Sequence, residues 1–215
     1  MPTNRPRILI ADDHTLVADL CRKLLETEFD VVGIVSNGRA MVRTAMELKP
    51  DVIIVDIAMP ILNGLDAGSQ VKEAIPSVKL IFLTMNTDVQ LAAEAFRRGA
   101  SGYLLKTCTS SELVAAVHDV LSGRIHISRN LCKSDTSYQH RAETKLAEED
   151  EKLTPREREV LQLLAEGKVM KEVGHILNMA TTTVAFHKYR MMKSIGVKSS
   201  AELVRYAVRR HIVAT

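Results

Sequence analysis

Apolar runs and amphipathic stretches alternate along the first 125 residues. RILIA (7–11) is a short apolar run, and TLVADLCRKLLE (15–26) follows it with Leu16, Leu20 and Leu24 at helical spacing. FDVVGIVSNG predicts a second strand closed by a turn, and RAMVRTAMELKP a helix stopped before Pro50. DVIIVDI (51–57) predicts a third, wholly apolar strand, and GLDAGSQVKEAI a helix that Pro76 closes. VKLIFLTM (78–85) predicts a fourth strand, VQLAAEAFRRGA a helix with Gly99 near its end, and GYLLK (102–106) a fifth strand. SSELVAAVHDVLSG (110–123) predicts a fifth helix, with Ser110 and Ser111 as N-cap candidates and Gly123 as its stop.

Five strands alternating with five helices imply an α/β domain over residues 5–125, a doubly wound parallel sheet covered on both faces. In the flavodoxin-like strand order 2-1-3-4-5, strands 1 and 3 are neighbours at the topological switch point, where ligands bind beyond the carboxyl ends. The pattern then changes. Residues 126–149 are polar with no clear period and read as a linker, partly helical near AETKLAEEDE. Residues 150–215 predict a second, all-α domain of four helices. Thr154, Pro155 and Glu157 make a capping-box start, with Val160, Leu161, Leu163 and Leu164 as the buried face and Gly167 as the stop. KEVGHILN (171–178), TTTVAFHKYRMMKSIG (181–196) and SAELVRYAVRRH (200–211) are the remaining helices. A brief turn between the second and third of the four suggests a helix-turn-helix.

Charge sharpens this division. Residues 151–215 carry a formal net charge of +6 and residues 1–150 one of −3. A compact basic unit joined to an acidic one points to a nucleic-acid binder attached to something else. No apolar stretch has the length of a membrane span, the N-terminus lacks the features of a signal peptide, and three cysteines have no metal-like spacing. A reduced, cytoplasmic protein with no membrane partner is the expectation.

The strand ends carry the candidate chemistry. Asp12 and Asp13 end strand 1, Asp56 ends strand 3, Thr84 ends strand 4 and Lys106 ends strand 5. Three carboxylates converging in one crevice are costly without a cation among them. Oxygen ligands select a hard ion, and Mg²⁺ with waters and one phosphate oxygen fits. Such an ion neutralises phosphoryl oxygens while one carboxylate attacks phosphorus, with Lys106 and the Thr84 hydroxyl placed to meet the other phosphoryl oxygens.

ILIADDH, VIIVDIAMPILNG, FLTM and GYLLK resemble the receiver domain of bacterial response regulators. The resemblance implies Asp56 as phosphoacceptor and Asp12 and Asp13 as Mg²⁺ residues, with the backbone carbonyl of Ala58 completing the metal site. It also implies Thr84 as the switch hydroxyl, Lys106 as the family's lysine and Tyr103 as the switch aromatic. LTPREREVLQLLAEGK and TVAFHKYRMMKSIGVKSSAELVRYAV are similar to the LuxR-type helix-turn-helix domain, so the whole chain resembles the NarL/FixJ class of response regulators.

What this implies is a transcription factor of a two-component system, not an enzyme. A sensor histidine kinase phosphorylates Asp56, a homodimer forms on phosphorylation or DNA binding, promoter DNA is bound, and RNA polymerase is a further candidate partner. Helical periodicity adds a DNA-reading arc of Thr182, Ala185, Phe186, Tyr189 and Lys193, opposite Val184, Met191 and Ile195. Thr183, Lys188 and Arg190 complete the DNA-binding set, with Lys188, Arg190 and Lys193 toward phosphates. Leu203, Val204, Ala207 and Val208 form an apolar stripe on the last helix, through which LuxR-type domains pair. Two rivals stand beside this reading: a DNA-binding regulator independent of phosphorylation, with a vestigial receiver, and an Mg²⁺-dependent phosphatase using Asp56 as nucleophile. The phosphatase would need an acid at the position of Ala58.

Overall fold

The computed structural model describes residues 5–128, 131 and 153–213. The chain divides into two compact units, Met1–Ser134 and Asp135–Thr215. The first is a six-stranded parallel sheet in the order β2-β1-β3-β4-β5-β6. Its strands are β1 (Arg7–Ala11), β2 (Asp30–Val35), β3 (Val52–Val55), β4 (Lys79–Thr84), β5 (Gly102–Leu105) and β6 (His126–Ile127), and its helices are α1 (Thr15–Leu25), α2 (Gly38–Leu48), α3 (Gly64–Ala74), α4 (Val89–Arg97) and α5 (Ser110–Leu121). The inner strands are all-apolar because both faces are covered. One core layer joins Leu9, Ile53, Val55, Leu80 and Phe82 to α2, α3 and α4, and the other joins Ile8, Ile10, Val52, Ile54 and Ile81 to α1 and α5.

Three details differ from the expectation. The sheet has six strands, not five. After α5 the chain returns to the sheet edge, where His126 and Ile127 pair with Gly102 and Tyr103. The Ser128 amide then donates to the Tyr103 carbonyl (2.9 Å), the buried Ser128 hydroxyl donates to Glu112 (2.8 Å), and Leu131 joins the core. The rest of the expected linker, with AETKLAEEDE and Cys132, lies outside the described residues. Second, α1 turns Ala18, Cys21 and Leu25 to the sheet and leaves Leu16 and Leu20 exposed, at 82% and 56%. Both stripes have helical spacing, and the small side chains of Ala18 and Cys21 let the helix approach the strands closely. Burial, then the charge of Asp12, push the Cys21 thiol up to about 11, so it packs as a neutral core group. Third, the cap of α5 is Thr109, whose hydroxyl accepts from the Glu112 amide at 3.2 Å, in place of Ser110 or Ser111.

Side-chain caps start most of these helices. Asn37 begins α2, Asn63 begins α3 and Asp88 begins α4, each accepting from an amide two or three residues on. Gly64 follows Asn63 where the chain doubles back under strand β3. A Cβ there would lie 2.0 Å from the Asp56 carbonyl oxygen, so only glycine lets α3 start this close to the end of β3. Arg98, just past α4, donates to Asp66 in the first turn of α3 (2.6 Å), and Asp66 also accepts from the Asn63 side chain (2.8 Å). This network ties the loop after β3 to the end of α4.

The second unit holds α6 (Pro155–Ala165), α7 (Met170–Leu177), α8 (Thr181–Ile195) and α9 (Ser200–Arg209). The Thr154 capping box is formed as expected, with both the backbone amide and the hydroxyl of Thr154 donating to Glu157. Val160, Leu161 and Leu163 are buried, Leu164 half-buried. At α7 the Val169 amide donates to Glu172 (2.9 Å), which is the half of a capping box available to a residue without a side-chain oxygen. Among the described residues no helix is long and apolar enough to cross a membrane.

Candidate functional sites

Sheet register places the first site. β1 and β3 align Ala11 with Val55, and the ladder runs one residue further, the Asp56 amide donating to the Ala11 carbonyl at 2.8 Å. The Asp12 amide likewise donates to Val35 (3.0 Å), and the Lys106 amide to Thr84 (2.8 Å). Asp12, Asp56 and Lys106 therefore emerge side by side at the carboxyl ends of three strands, at the switch point of the sheet.

Their side chains meet. Asp12 and Asp56 are 4% and 3% exposed. The Lys106 ammonium donates to Asp56 Oδ2 (2.8 Å) and to Asp12 Oδ1 (3.0 Å). Burial alone would lower the Lys106 pKa, but the hydrogen bonds and charges of Asp12 and Asp56 outweigh it and hold the ammonium above the ordinary lysine value. Lys106 stays charged throughout the physiological range. Asp13 and His14 stand at the more open mouth, and the Ala58 amide donates to Asp56 Oδ1 (3.3 Å).

Three carboxylates and one ammonium leave the cluster two negative charges in excess. Asp12 Oδ2 makes the surplus concrete. It lies 2.9 Å from the Lys106 nitrogen, yet the aligned hydrogen bond goes to Oδ1, and Oδ2 is buried with no hydrogen-bond partner. Ligand atoms of Asp12, Asp13, His14 and Asp56 all lie within 4.8 Å of one another. A hard divalent cation fits such a donor set: it would fill the unused lone pair and offset the excess charge.

Thr84 and Tyr103 adjoin this cluster. Thr84 is buried, and its hydroxyl accepts from the Asn86 amide (3.1 Å). Tyr103 is fully buried, its hydroxyl donating to the Asn86 carbonyl (3.2 Å). Burial first, then the charges of Asp88 and Asp56, push its phenol well above the ordinary tyrosine value. Asn86 thus contacts both residues, and its side chain accepts from the amide of Asp88, the cap of α4 (2.8 Å). A change at Thr84 therefore has a short hydrogen-bonded route to the start of α4.

The second site is the exposed side of α8. Val184 and Met191 are fully buried and Ile195 is half-buried. On the other side Phe186 and Tyr189 stand out at 60% and 64% exposure, with Thr182, Thr183 and Lys193 also exposed and Ala185 half-buried. Lys188 donates to the Ser200 hydroxyl (3.1 Å). Arg190 is engaged inside its own unit: its Nε lies 3.3 Å from Glu157, a carboxylate only 2% exposed. That buried charge needs a cation, so the structure gives Arg190 a partner that the sequence reading did not include. On α9, Leu203, Tyr206 and Ala207 are buried, whereas Val204 and Val208 line an open groove of about 520 Å³ with Val197, Glu202, Arg205 and Arg209.

Two residues at these sites were not singled out from the sequence. His14 adjoins the acidic pair and could have been flagged by adjacency alone. Glu157 belongs to the capping box of α6, and its pairing with Arg190 joins residues far apart in the chain, which no local motif reports.

Comparison with known proteins identifies the family of each part of the chain. Residues 8–118 match the response regulator receiver domain family, and residues 151–207 match the luxR family of bacterial regulatory proteins. The chain is 31% identical over 216 residues to the transcriptional regulatory protein MctR of Rhizobium johnstonii, covering 99% of this chain and 98% of that protein. It is 33% identical to the oxygen regulatory protein NreC of Staphylococcus aureus, covering 96% of this chain and 99% of the relative. Among solved structures it is similar to the RcsB response regulator of Salmonella typhimurium (27% identity, TM-score 0.61, 97% of this chain and 99% of the other). It is also similar to RcsB bound to the promoter P1flhDC in the presence of the phosphomimetic BeF3⁻ (28%, TM-score 0.56, 94% and 98%).

Proposed function

Because the chain belongs to the response regulators that join a receiver domain to a LuxR-type DNA-binding domain, we propose that phosphorylation of Asp56 by a sensor histidine kinase controls its binding to promoter DNA. The observation that carries this reading is the buried Asp12–Lys106–Asp56 cluster, with an excess of negative charge and Thr84 alongside. Asp56 is the nucleophile: a bond forms from its carboxylate to phosphorus as the bond from phosphorus to the donor histidine breaks. Lys106 holds the carboxylate in place and afterwards pairs with a phosphoryl oxygen. Asp13, Asp56, the Ala58 carbonyl and Asp12 would hold Mg²⁺, which supplies charge neutralisation at the phosphoryl oxygens. The new charge draws the Thr84 hydroxyl inward from its bond with Asn86. Tyr103 and the start of α4 share Asn86, so they follow. The modified receiver then favours a homodimer that presents two DNA-binding units, acting in the cytoplasm with RNA polymerase as a further candidate partner.

The alternatives have less support. A phosphatase needs an acid two residues after the nucleophile, and Ala58 offers none. A vestigial receiver has no use for a lysine paired with two buried carboxylates.

On α8 the reading residues are Thr182, Ala185, Phe186, Tyr189 and Lys193, with Thr183 and Lys188 beside them. Phe186 suits thymine methyl groups, and the Tyr189 hydroxyl suits a base edge or phosphate. Phe186→Ala and Tyr189→Ala are expected to change the preferred site at a cost of about 1–3 kcal/mol against the best sequence, whereas Lys188→Ala weakens all sequences alike. Selection of bound sites from a random pool checks this; aromatic variants that keep the parental site would show that the wrong face was chosen. Arg190 is assigned to the phosphate set only if DNA draws it from Glu157.

The groove at Val204 and Val208 is assigned to the partner DNA-binding unit. Charged substitutions there should leave the unit folded, because neither side chain is fully buried, yet weaken binding to a probe with two half-sites. A folded Val204→Glu variant that binds such a probe normally would refute the assignment.

A further inference from the structure

Resting on the assignment of α8 as the DNA-reading helix, we propose that Glu157 withholds Arg190 from the DNA backbone. Glu157 is then a positioning residue that sets how strongly this unit grips phosphates. At about 100° per residue, Lys188 and Arg190 fall on opposite flanks of the arc that carries Phe186 and Tyr189. A helix lying in the major groove has a phosphate backbone along each flank, so both cations are placed to reach one. Their present partners differ. Lys188 donates to the Ser200 hydroxyl (3.1 Å), a neutral and exposed group that water can replace. Arg190 Nε lies 3.3 Å from Oε1 of Glu157, a carboxylate only 2% exposed.

Two features hold Arg190 where it is. Glu157 Oε2 is already used, because it accepts from the Thr154 amide (2.9 Å) and hydroxyl (2.8 Å) in the capping box of α6. Oε1 makes no aligned hydrogen bond, and among the described residues Arg190 is the cation brought to its charge. A carboxylate this deeply buried is costly without its counter-charge, whereas a phosphate contact forms in water and is screened by salt. The guanidinium therefore stays with Glu157 when DNA arrives. The two flanks of α8 act differently: Lys188 grips phosphate and Arg190 does not. Each unit makes one backbone contact fewer with any duplex, so occupancy of DNA leans on the reading residues and on the pairing of two units.

The test is Glu157→Gln in the full chain, with a duplex carrying one half-site of the selected sequence and a scrambled duplex of the same length. Glutamine also serves in a capping box, so α6 keeps its start, which a thermal melt would check. It carries no charge, so Arg190 is released to reach phosphate. The variant should bind both duplexes more tightly, and its log affinity should fall more steeply with log salt, by about 0.9 per bound chain. The gain should therefore shrink about 3.5-fold between about 50 and 200 mM salt. Combining Glu157→Gln with Arg190→Gln should remove the gain and the added slope together. A folded Glu157→Gln variant with wild-type affinity and slope, or a gain that survives Arg190→Gln, overturns the proposal. Weaker binding at an unchanged slope does so too, because that is what a purely structural Glu157 predicts. A second measurement needs no variant at position 157. In wild type the Arg190 Nε–H signal, assigned by its loss in Arg190→Gln, should keep its nuclear magnetic resonance position as either duplex is added; a signal that moves with bound DNA overturns the proposal. A wild-type chain that binds neither duplex at low salt would instead overturn the assignment of α8 to DNA.

Discussion

Asp56→Asn is expected to take no acid-labile phosphoryl group from a phosphodonor, where the wild-type chain takes one. The reason is positional. Asp56 is the one carboxylate at the end of the central strand β3, buried, oriented by Lys106 at 2.8 Å and steadied by the Ala58 amide at 3.3 Å. Asp12 is also buried beside Lys106, but its Oδ1 already accepts from the His14 amide as well as from the ammonium. The carboxamide that the substitution introduces is no nucleophile toward phosphorus, yet it keeps the size of the side chain and removes one charge from an over-acidic cluster. The variant should therefore fold as well as wild type, and circular dichroism would confirm that lost labelling is lost chemistry. Labelling would be measured with acetyl phosphate or a phosphorylated kinase domain; stoichiometric label on the variant would place the phosphoacceptor elsewhere.

Lys106→Met is expected to destabilise the receiver by about 2–3 kcal/mol in the absence of divalent cation. Removing one member of an enclosed ion pair costs about 3–5 kcal/mol, and water at the open mouth of this site lowers that figure. Two buried carboxylates, Asp12 and Asp56, would then face each other with no cation. Added Mg²⁺ should recover much of the loss, because an ion that binds only the folded state stabilises it by mass action. Urea denaturation with and without Mg²⁺ measures both effects. The pH dependence follows from the raised pKa of Lys106. A group that titrates higher when folded contributes fully below its ordinary value of 10.5, and that contribution fades as pH rises through the folded value. The gap between wild type and Lys106→Met should therefore hold from neutral pH to about 10.5 and narrow only above it. A variant as stable as wild type at neutral pH without cation would mean that Lys106 does not offset the charge of Asp12 and Asp56.

Much of the architecture was legible because buried parallel strands leave unbroken apolar runs, and Asp12, Asp56, Thr84 and Lys106 each fall at or just past such a run. Strand order then brings the ends of β1, β3, β4 and β5 together. Other features were not legible for identifiable reasons. β6 is two residues long and sits in polar sequence, so it carries no period of its own. On α1 two apolar stripes share the helical spacing, and the smaller Ala18 and Cys21, in place of Leu16 and Leu20, face the sheet. The cap of α5 moved one residue because Thr109 competes with two serines directly after it. The Glu157–Arg190 and Asp66–Arg98 pairs join residues 33 and 32 positions apart, a separation that periodicity cannot report.

The most direct measurement compares DNA binding and oligomeric state of the full chain with and without beryllofluoride, which would mimic the proposed phosphoryl group on Asp56. A probe with two half-sites, taken from the selection experiment, would serve both wild type and Asp56→Asn. Wild type should shift from monomer toward dimer and bind the probe more tightly when activated, while Asp56→Asn should show neither response. Wild type that binds equally tightly in both states, or Asp56→Asn that responds as wild type does, would contradict control of DNA binding through Asp56.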